Sequence, residues 1–383
     1  MAHFRQLEHR GSKWQACVRA PDGSERTRLF RRKIDAQKWA ATLEADMARG
    51  QWVDPALGKM RFGEFVEIWK AGLHDLRPGT LDLNLGVVRN HLEPRFGVTP
   101  LARITHADVK AMIADDMIAG YSGSAVRRHV FVLRGILEAA VLDGRLGRNV
   151  AEGVKLPPES ARPMRFLDAG QLAAVADEIR PAHYRPLVLT AGWVGLRWGE
   201  LAGLALDHVD LLRHTITVDR QLTEVGGRIA YGPPKTSAGV RTVTMPSALT
   251  DVLGEHFASE AVQSSGLAFP TVTGRPMRRS NFRKVWRKAA DGCFAGTDLA
   301  NLTMHELRHT AASLAIAHGA HPVTVRERLG HSSITVTMDR YGHMFPSQDQ
   351  ALAEALDTAL RDSLAEPTRN SAAAVTRFRR SEG

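Results

Sequence analysis

His305-Glu306-Leu307-Arg308-His309 combines residue types that move protons with a residue type that binds anions. The surrounding pattern predicts a helix that begins near Thr303 or Met304 and runs to about Ala317, with Leu307, Ala311, Leu314 and His318 as its core stripe. His305 and Arg308 are three residues apart, so an imidazole and a guanidinium should lie side by side on another face. A solvated helix face would show the same spacing, so this segment alone does not decide the function.

A second candidate anion site is the segment Gly195-Leu196-Arg197-Trp198-Gly199-Glu200-Leu201. Gly195 permits a sharp turn, and Arg197 would then begin a helix, where backbone amides and a guanidinium can face one anion. Glu200 lies one turn along and could orient Arg197. A buried structural Arg–Glu pair is the alternative interpretation of this segment.

Three further residues complete the set of candidates. Lys235 lies in Pro233-Pro234-Lys235-Thr236-Ser237, a loop predicted to join two strand-like runs at 215–218 and 240–245. His331 follows Gly330, which is predicted to end a helix, and Ser332 or Ser333 is predicted to cap the next one. Tyr341 lies toward the end of that short helix. The chain has only four tyrosines, and the polar neighbours of Tyr341 argue against a role as core filling.

The pentapeptide at 305–309 also matches H-E-x-x-H, the zinc-metalloprotease signature. Its extended form needs Gly and a third His where this chain has Ala312 and Ala315. Glu327 lies between Arg326 and Arg328 and is a poor substitute for the third ligand. The zinc protease therefore stays an alternative of lower rank.

The composition favours a partner that carries many phosphates. The 383 residues include 51 Lys and Arg against 41 Asp and Glu, a net charge of +10. Such a surplus is typical of nucleic-acid-binding proteins. No apolar run is long enough for a membrane span, and the first residues lack a signal core, so neither membrane insertion nor export is expected. Cys17 and Cys293 are expected to be reduced thiols of a cytoplasmic protein.

The periodicity predicts a mainly α multidomain protein with small β-sheets (α+β). Residues 1–55 are predicted to form strands at 13–19 and 26–30, a turn at 21–24 and a helix at 34–48. Asp54 to Gly58 suggests a linker, and a helical domain follows at 60–156. Its helices are predicted around 62–69, 80–92, 113–118 and 125–142. A break at 156–160 precedes a mixed domain at 165–365, and a basic tail at 366–383 is expected to be disordered.

Basic residues outside these segments are candidates for DNA contact. In the N-terminal domain they are Arg26, Arg28, Arg31, Arg32 and Lys33; in the helical domain they are Arg127, Arg128 and Arg134. A solvated basic hairpin is the alternative for the N-terminal group.

Taken together, the ordered segments resemble the tyrosine recombinases, particularly phage and mobile-element integrases. The resemblance rests on Gly-Leu-Arg-Trp-Gly-Glu-Leu, the loop lysine, His-Glu-Leu-Arg-His, Leu-Gly-His-Ser-Ser-Ile and the final Tyr-x-His. It implies an arm-type DNA-binding domain at the N-terminus, where Trp52-Val53-Asp54-Pro55 contributes to the likeness. It further implies a SAM-like core-binding domain and a tyrosine-recombinase catalytic domain.

The resemblance also implies a role for each catalytic candidate. Tyr341 would attack the scissile phosphate and form a 3′-phosphotyrosine. Arg197 and Arg308 would bind the non-bridging oxygens, and Glu200 would orient Arg197. Lys235 would protonate the leaving 5′-oxygen, His305 would help to take the tyrosine proton, and His331 would support the phosphate. No cofactor, metal or nucleotide is expected.

For partners, the resemblance implies double-stranded DNA with core and arm attachment sites and a homotetramer on that DNA. An accessory DNA-bending protein and an excisionase are possible further partners. The amphipathic segment from 348 to about 364, with Leu352, Leu356 and Leu360, is expected to pack either on a neighbouring protomer or on its own domain. The alternatives are a chromosome-resolving Xer-like recombinase, a type IB topoisomerase and a non-enzymatic DNA-binding regulator.

Overall fold

A computed structural model describes residues 2–7, 13–20, 23–48, 57–159, 163–345 and 349–365. The chain divides into two compact units, residues 1–163 with 224–228 and residues 164–223 with 229–383. Helices dominate and the sheets are small, which confirms the predicted fold class. Most of the predicted linker at 54–58, half of the turn at 21–24 and the whole tail at 366–383 lie outside the described residues.

The N-terminal segment forms an antiparallel three-stranded sheet with a helix. The strands run in the order β1 (His3–Leu7), β2 (Lys13–Arg19) and β3 (Glu25–Phe30), and α1 spans Lys33–Ala48. Buried Ala16 and Val18 of β2 and Ala36 and Ala40 of α1 contribute its core. The predicted strands and helix are confirmed, whereas β1 was not predicted. Its sequence HFRQL contains two apolar residues, Phe4 and Leu7, and their spacing of three does not fit the alternation of a strand.

The segment from 57 to 159 is helical, as predicted. Its helices are α2 (Phe62–Ala71), α3 (Pro78–Val87), α4 (Glu93–Phe96), α5 (His106–Ile118) and α6 (Gly123–Leu142), with a π-helical turn between α3 and α4. The predicted apolar face of α2 is buried. The observed α5 begins well before the predicted 113. Thr105 and Asp108 form a capping box there, a start signal that the apolar periodicity does not contain.

The second unit surrounds a small sheet with helices. Two adjacent strands, β5 (Thr215–Val218) and β8 (Arg241–Thr244), confirm the two strand-like runs, and the short β4 (Val209–Asp210) pairs with β5. The hairpin of β6 (Gln221–Val225) and β7 (Arg228–Gly232) was not predicted, because most of its residues are polar and exposed. Its turn, Gly226-Gly227, has two positive φ angles and is typical of a tight hairpin.

The helices of this unit build one large apolar core and a second, smaller cluster. They are α7 (Ala169–Asp177), α8 (Arg185–Val194), α9 (Trp198–Gly203), α10 (Ser247–Phe257), α11 (Glu260–Ser265), α12 (Arg279–Phe294), α13 (Glu306–Ala317), α14 (Pro322–Leu329), α15 (Ile334–Tyr341) and α16 (Asp349–Ala365). In α13 the predicted stripe is correct for Leu307 and Ala311, but His318 is exposed at the helix end. Among the described residues, no helix is long and apolar enough to cross a membrane.

Candidate active site

Arg197 follows a sharp turn between α8 and α9. Gly195 ends α8 with a φ of 80°, in the left-handed region that favours glycine. A Cβ at this position would lie 2.8 Å from Leu329 Cδ2 and 3.0 Å from Ala311 Cβ, so the turn packs closely against α13 and α14. Arg197 is the N-cap residue of α9. Both sequence predictions for this turn are confirmed.

Glu200 holds Arg197 and a second arginine that the sequence analysis missed. Its Oε1 accepts a hydrogen bond from Arg197 Nη1 at 2.8 Å, and its Oε2 accepts one from Arg241 Nη2 at 2.9 Å. Glu200 is 1% exposed. Burial alone would raise the pKa of this carboxyl, but the hydrogen bonds and positive charges of Arg241 and Arg197 outweigh burial and lower it. Glu200 is therefore a carboxylate at neutral pH.

Arg241 lies on β8 and links Glu200 and Arg197 to two backbone carbonyls. Its Nε donates to the carbonyl of Arg328 at 2.7 Å, and its Nη1 donates to the carbonyl of Gly239 at 2.9 Å. Arg241 and Val243 share one face of the strand, and Val243 is buried. A signal for Arg241 was thus present in the sequence, because an arginine on a buried strand face needs an anionic partner.

Arg308 is buried and converges on the same backbone segments. Its Nη1 donates to the carbonyl of Gly195 at 2.7 Å, and its Nη2 donates to the carbonyl of Leu329. Arg197 Nη2 donates to the carbonyl of Gly330 at 3.0 Å, next to the acceptor of Arg308. Burial, and then the charge of Arg197, lower the pKa of Arg308 to about 9, so it remains a cation at neutral pH.

His305 and His309 lie next to each other at the start of α13, with ring centroids 5.2 Å apart. Desolvation, followed by the charge of Arg308, lowers the pKa of His305. Glu306 is engaged elsewhere: its Oε1 accepts a hydrogen bond from Arg165 Nε at 2.8 Å. A zinc protease would need Glu306 as a base facing the metal. The pairing of Glu306 with Arg165 therefore argues against the zinc-protease hypothesis.

His331 is buried directly after α14. Gly330 ends that helix with a φ of 62°, and Ser333 caps α15 by accepting a hydrogen bond from the amide of Thr335, as predicted. The Nδ1 of His331 is 2.9 Å from Thr337 Oγ1. Burial, followed by the charge of Arg308, lowers the pKa of His331 to about 3. Its imidazole is therefore neutral.

Tyr341 is the last residue of α15 and is 1% exposed. It packs in the small apolar cluster with Ala312, Ile316, Val325 and Leu329. The prediction that its surroundings are too polar for core packing is therefore wrong. That prediction considered neighbours in sequence, whereas α13 and α14 supply the apolar neighbours in space. Burial raises the pKa of the phenol, although the charges of Arg308 and Arg340 act in the opposite direction.

The hydroxyl of Tyr341 lies 2.7 Å from Nδ1 of His309. Its ring is also parallel to that of His331, with centroids 6.5 Å apart. The contacts above connect Arg197, His305, Arg308, His331 and Tyr341 into one site. His309 was seen in the sequence only as a possible zinc ligand, and no local signal in α13 indicates its contact with α15.

Lys235 is exposed in the loop from β7 to β8 and is not part of the contacts described above. The same loop closes on the site through its second half. Gly239 accepts a hydrogen bond from Arg241, and a Cβ at Gly330 would lie only 2.7 Å from the carbonyl of Ala238. Lys235 lies a few residues before Ala238 and Gly239, the loop residues that contact the site.

The predicted DNA-contact residues differ in their surroundings. Arg28, Arg31, Arg32 and Lys33 are exposed, while Arg26 is half-buried. In α6, Arg128 is exposed, Arg127 donates to the carbonyl of Pro157 at 2.8 Å, and Arg134 pairs with Glu152 at 3.0 Å. Arg127 thus has a structural contact in addition to any role on DNA.

Helix α12 presents a basic face that the sequence analysis did not identify. Phe282 and Trp286 are buried, whereas Arg279 at the helix start and Arg283, Lys284, Arg287 and Lys288 along the helix are exposed. Arg279 is among the cations that lower the pKa of His305 after desolvation and Arg308, so this face begins near the site. Its sequence signal is the alternation of aromatic and paired basic residues at helical spacing.

Comparison with known families identifies the chain. Residues 164–348 match the model described as the phage integrase family, and residues 61–115 match its N-terminal SAM-like domain. The chain belongs to the phage integrase family. The integrase is therefore a site-specific tyrosine recombinase of mobile elements, an enzyme that cuts and rejoins DNA.

Relatives of the integrase match it over almost their whole length. It is 28% identical to the putative prophage phiRv2 integrase of Mycobacterium tuberculosis, over 90% of this chain and 92% of that protein. It is 26% identical to the ICEBs1 integrase of Bacillus subtilis, over 89% and 95%. A XerC-like recombinase of Caldanaerobacter subterraneus matches only 62% of this chain. This difference favours an integrase over the Xer-like alternative.

Solved structures share the fold of the integrase. The Tn1549 transposon integrase, in complex with transposon right end DNA, aligns with a TM-score of 0.64 and 19% identity, over 78% of this chain and 100% of that one. A lambda integrase tetramer bound to a Holliday junction aligns with a TM-score of 0.57 and 16% identity, over 90% and 94%.

Proposed function

We propose that Tyr341 is the nucleophile of the integrase. The observation that carries this assignment is the position of its hydroxyl, bonded to His309 within a cluster that contains Arg308 and His331. The phenolic oxygen would attack the scissile phosphorus, the bond to the 5′-oxygen would break, and a 3′-phosphotyrosine would form. A free 5′-hydroxyl on a second strand would later reverse these steps and release Tyr341.

Arg197 and Arg308 would bind the non-bridging oxygens of this phosphate. Their guanidiniums are anchored on adjacent carbonyls, those of Gly330 and Leu329, so both are held in place before DNA arrives. Preorganised charge is most effective in the transition state, where negative charge on these oxygens is greatest. Glu200 would act by positioning Arg197 and Arg241.

Lys235 and the histidines would donate, accept or orient protons during the reaction. Lys235 would protonate the leaving 5′-oxygen, because it is an exposed ammonium on a loop beside the arginine cluster. His331 would contact the phosphate as a neutral imidazole, held by Thr337. His305, whose pKa is lowered by desolvation and by Arg308, would help to carry the proton of Tyr341 away.

The other domains would supply DNA affinity and assembly. We assign residues 1–55 to arm-type DNA, 60–156 to core-site DNA through Arg128 of α6, and the basic face of α12 to the phosphates near the cleavage point. Because recombination joins two duplexes, the active form would be a homotetramer. The lambda integrase tetramer on a Holliday junction supports this assignment.

Assembly would also use α16, whose Leu356 and Leu360 are 60% and 57% exposed. A neighbouring protomer would cover these leucines. An accessory DNA-bending protein and an excisionase would set the direction of recombination. The integrase would act in the bacterial cytoplasm on nucleoid DNA and be encoded by a prophage or another mobile element.

The decisive experiment traps the covalent intermediate. The full-length protein is incubated in EDTA with a duplex that carries the attachment site of its own element and a nick just 3′ of the scissile phosphate. The short 5′-hydroxyl fragment then diffuses away, and we expect an adduct that survives denaturation. Tyr341→Phe should form none, while Tyr231→Phe, which changes a tyrosine that is 44% exposed on β7, should form it normally. If wild type forms none, or Tyr341→Phe still does, the assignment of the nucleophile is wrong.

A further inference from the structure

The hydroxyl of Tyr341 is enclosed by protein and needs an acceptor for its proton. The residue is 1% exposed, and the ring packs in an apolar cluster. A buried O–H group without a partner costs about 1–3 kcal/mol. Among the residues that the structure describes, the hydrogen bond recorded for this hydroxyl is the one to His309 Nδ1, at 2.7 Å. Because a buried hydroxyl needs an acceptor, we assign Tyr341 as the donor to Nδ1, which puts the proton of a neutral His309 on Nε2.

The surroundings keep His309 in the form that can accept this proton. Desolvation, followed by the nearby imidazole of His305 and the charge of Arg340, lowers the pKa of His309 to about 4. The ring is thus neutral at pH 7, and in the assigned tautomer its Nδ1, 2.7 Å from the phenol oxygen, is the acceptor. A charged imidazolium would instead donate to the oxygen and could not remove its proton.

The other two histidines of the site are placed differently. His331 uses its Nδ1 in the contact with Thr337, and its ring lies parallel to that of Tyr341 with centroids 6.5 Å apart. His305 meets His309 edge to face at 5.2 Å. Of the three rings, that of His309 has a nitrogen at hydrogen-bond distance from the nucleophile.

We propose that His309 is a catalytic residue of the integrase and that its Nδ1 takes the proton of Tyr341 during attack. This inference rests on the assignment of Tyr341 as the nucleophile. The O–H bond of Tyr341 breaks as its oxygen bonds to phosphorus, the proton forms a new N–H bond on His309, and the P–O5′ bond breaks. The leaving oxygen receives its proton from Lys235. His305 lies beside the protonated His309 and is further than His309 from the phenol oxygen of Tyr341 along this path of proton transfer.

Helix α13 explains why this acceptor is well placed. Arg308 and His309 are consecutive residues, and Arg308 is fixed by the carbonyls of Gly195 and Leu329. The phosphate clamp and the proton acceptor therefore share one helical turn and one set of anchors. A phosphate bound by Arg308 would be held at a constant position relative to the hydrogen bond between His309 and Tyr341.

The test compares two substitutions that separate positioning from proton transfer. His309→Asn places an amide near the Nδ1 position, so it can hold the phenol but cannot take its proton. His309→Ala removes both abilities. His318→Ala, an exposed histidine at the end of the same helix, is the matched control. Single-turnover rates of adduct formation on the nicked duplex are measured from pH 6 to 9, together with DNA affinity and thermal unfolding.

We expect both His309 variants to lose about 100-fold in rate at pH 7, with DNA affinity within twofold of wild type and His318→Ala unchanged. Their rates should rise about tenfold per pH unit, because hydroxide then removes the phenol proton, whereas the wild-type rate should be nearly flat. A more acidic fluorotyrosine at position 341 should restore much of the rate of His309→Ala. A His309→Asn rate within threefold of wild type, or no recovery with fluorotyrosine, would overturn the proposal.

The same assay separates this proposal from the one on which it rests. If wild type forms an adduct that Tyr341→Phe cannot form, the assignment of Tyr341 as the nucleophile is supported. Normal rates for the His309 variants would then refute only the role of His309. If Tyr341→Phe still forms the adduct, the assignment of the nucleophile fails first.

Discussion

Glu200 and Arg241 form a buried ion pair, with Oε2 and Nη2 2.9 Å apart and side chains that are 1% and 7% exposed. The same carboxylate holds Arg197 through its other oxygen. One anion therefore fixes two guanidiniums from different parts of the chain. The pair joins the helix α9 to the strand β8, and its loss would disturb both stability and the active site.

Replacing Glu200 by Gln should destabilise the protein and slow cleavage. The amide keeps the shape but removes the negative charge between the buried Arg241 and the partly exposed Arg197, which costs about 3 kcal/mol in the free energy of unfolding. Denaturant unfolding measures this loss, with the exposed Glu255→Gln as the control. A change below about 0.5 kcal/mol would show that the charge of Glu200 is not needed.

The same carboxylate predicts a pH dependence with a defined sign. The folded pKa of Glu200 lies below its usual value of 4.5, so its ionic contribution is present above about pH 4.5 and is lost as the pH falls through the folded pKa. The stability difference between wild type and Glu200→Gln should therefore shrink in that acidic range. A difference that stays constant there would contradict this account.

Arg308→Lys should abolish adduct formation and leave DNA affinity nearly unchanged. Lysine keeps the charge, but it cannot donate to the carbonyls of Gly195 and Leu329 and also to a phosphate in the fixed geometry of a guanidinium. We expect a loss of at least about 100-fold in the cleavage rate. Arg213→Lys, on the surface, is the control. Parallel loss of DNA binding and cleavage would argue against a role in the transition state.

Gly330→Ala should disturb the site more than the same change at Gly319. Both glycines have a positive φ, 62° and 81°, so the backbone strain is similar. A Cβ at Gly330 would also lie 2.7 Å from the carbonyl of Ala238, whereas one at Gly319 meets nothing within 4 Å. Gly330→Ala should therefore cost at least about 1 kcal/mol more in unfolding free energy and slow cleavage. Equal effects of the two substitutions on unfolding free energy and cleavage would show that the loop containing Ala238 shifts without a cost in free energy.

His256 should make stability fall between pH 6.5 and about 4. Burial, followed by the neighbouring His183, lowers its folded pKa to about 4, while the unfolded chain binds the proton from 6.5 downward. His256→Gln keeps an N–H for the carbonyl of Ala268 and removes the titration. Compared with wild type, this variant should lose about 2 kcal/mol less on going from pH 7 to 4.5. His318→Gln should follow wild type, and an equal loss in both variants would exclude His256 as the cause.

The basic face of α12 should appear in the salt dependence of DNA binding. Replacing Lys284 and Arg287 by Gln should reduce the slope of log affinity against log salt by about 2, because each phosphate contact contributes about one unit. Arg213→Gln, on a different surface, should leave the slope unchanged. An unaltered slope in the double variant would remove α12 from the DNA interface.

Local signals were sufficient for the parts of the site that depend on neighbouring residues in sequence. The turn at Gly195, the start of α9 at Arg197 and the end of α14 at Gly330 each follow from the conformational preference of one residue. The predicted contact between Glu200 and Arg197 likewise needs only one helical turn. Each of these predictions is confirmed.

Contacts between distant segments could not be predicted in the same way. The burial of Tyr341 depends on apolar residues from α13 and α14, and its bond to His309 spans 32 positions. Arg241 reaches Glu200 across 41 positions. Nothing in the periodicity of either segment specifies these partners, because they are set by how the elements pack.

The net charge of the arginine cluster would match a bound phosphate better during attack than at rest. Arg197, Arg241 and Arg308 surround the single carboxylate of Glu200, which leaves two positive charges. A phosphodiester in its resting state carries one negative charge, and attack by a deprotonated phenol brings the total to two. If Arg197 and Arg308 bind this phosphate as proposed, the charge of the arginine cluster would be balanced when the phosphorus has five oxygen neighbours, and a positive charge would remain when either reactant or product DNA is bound. Such a balance would favour the reaction in both directions, as an enzyme that must both cut and reseal requires.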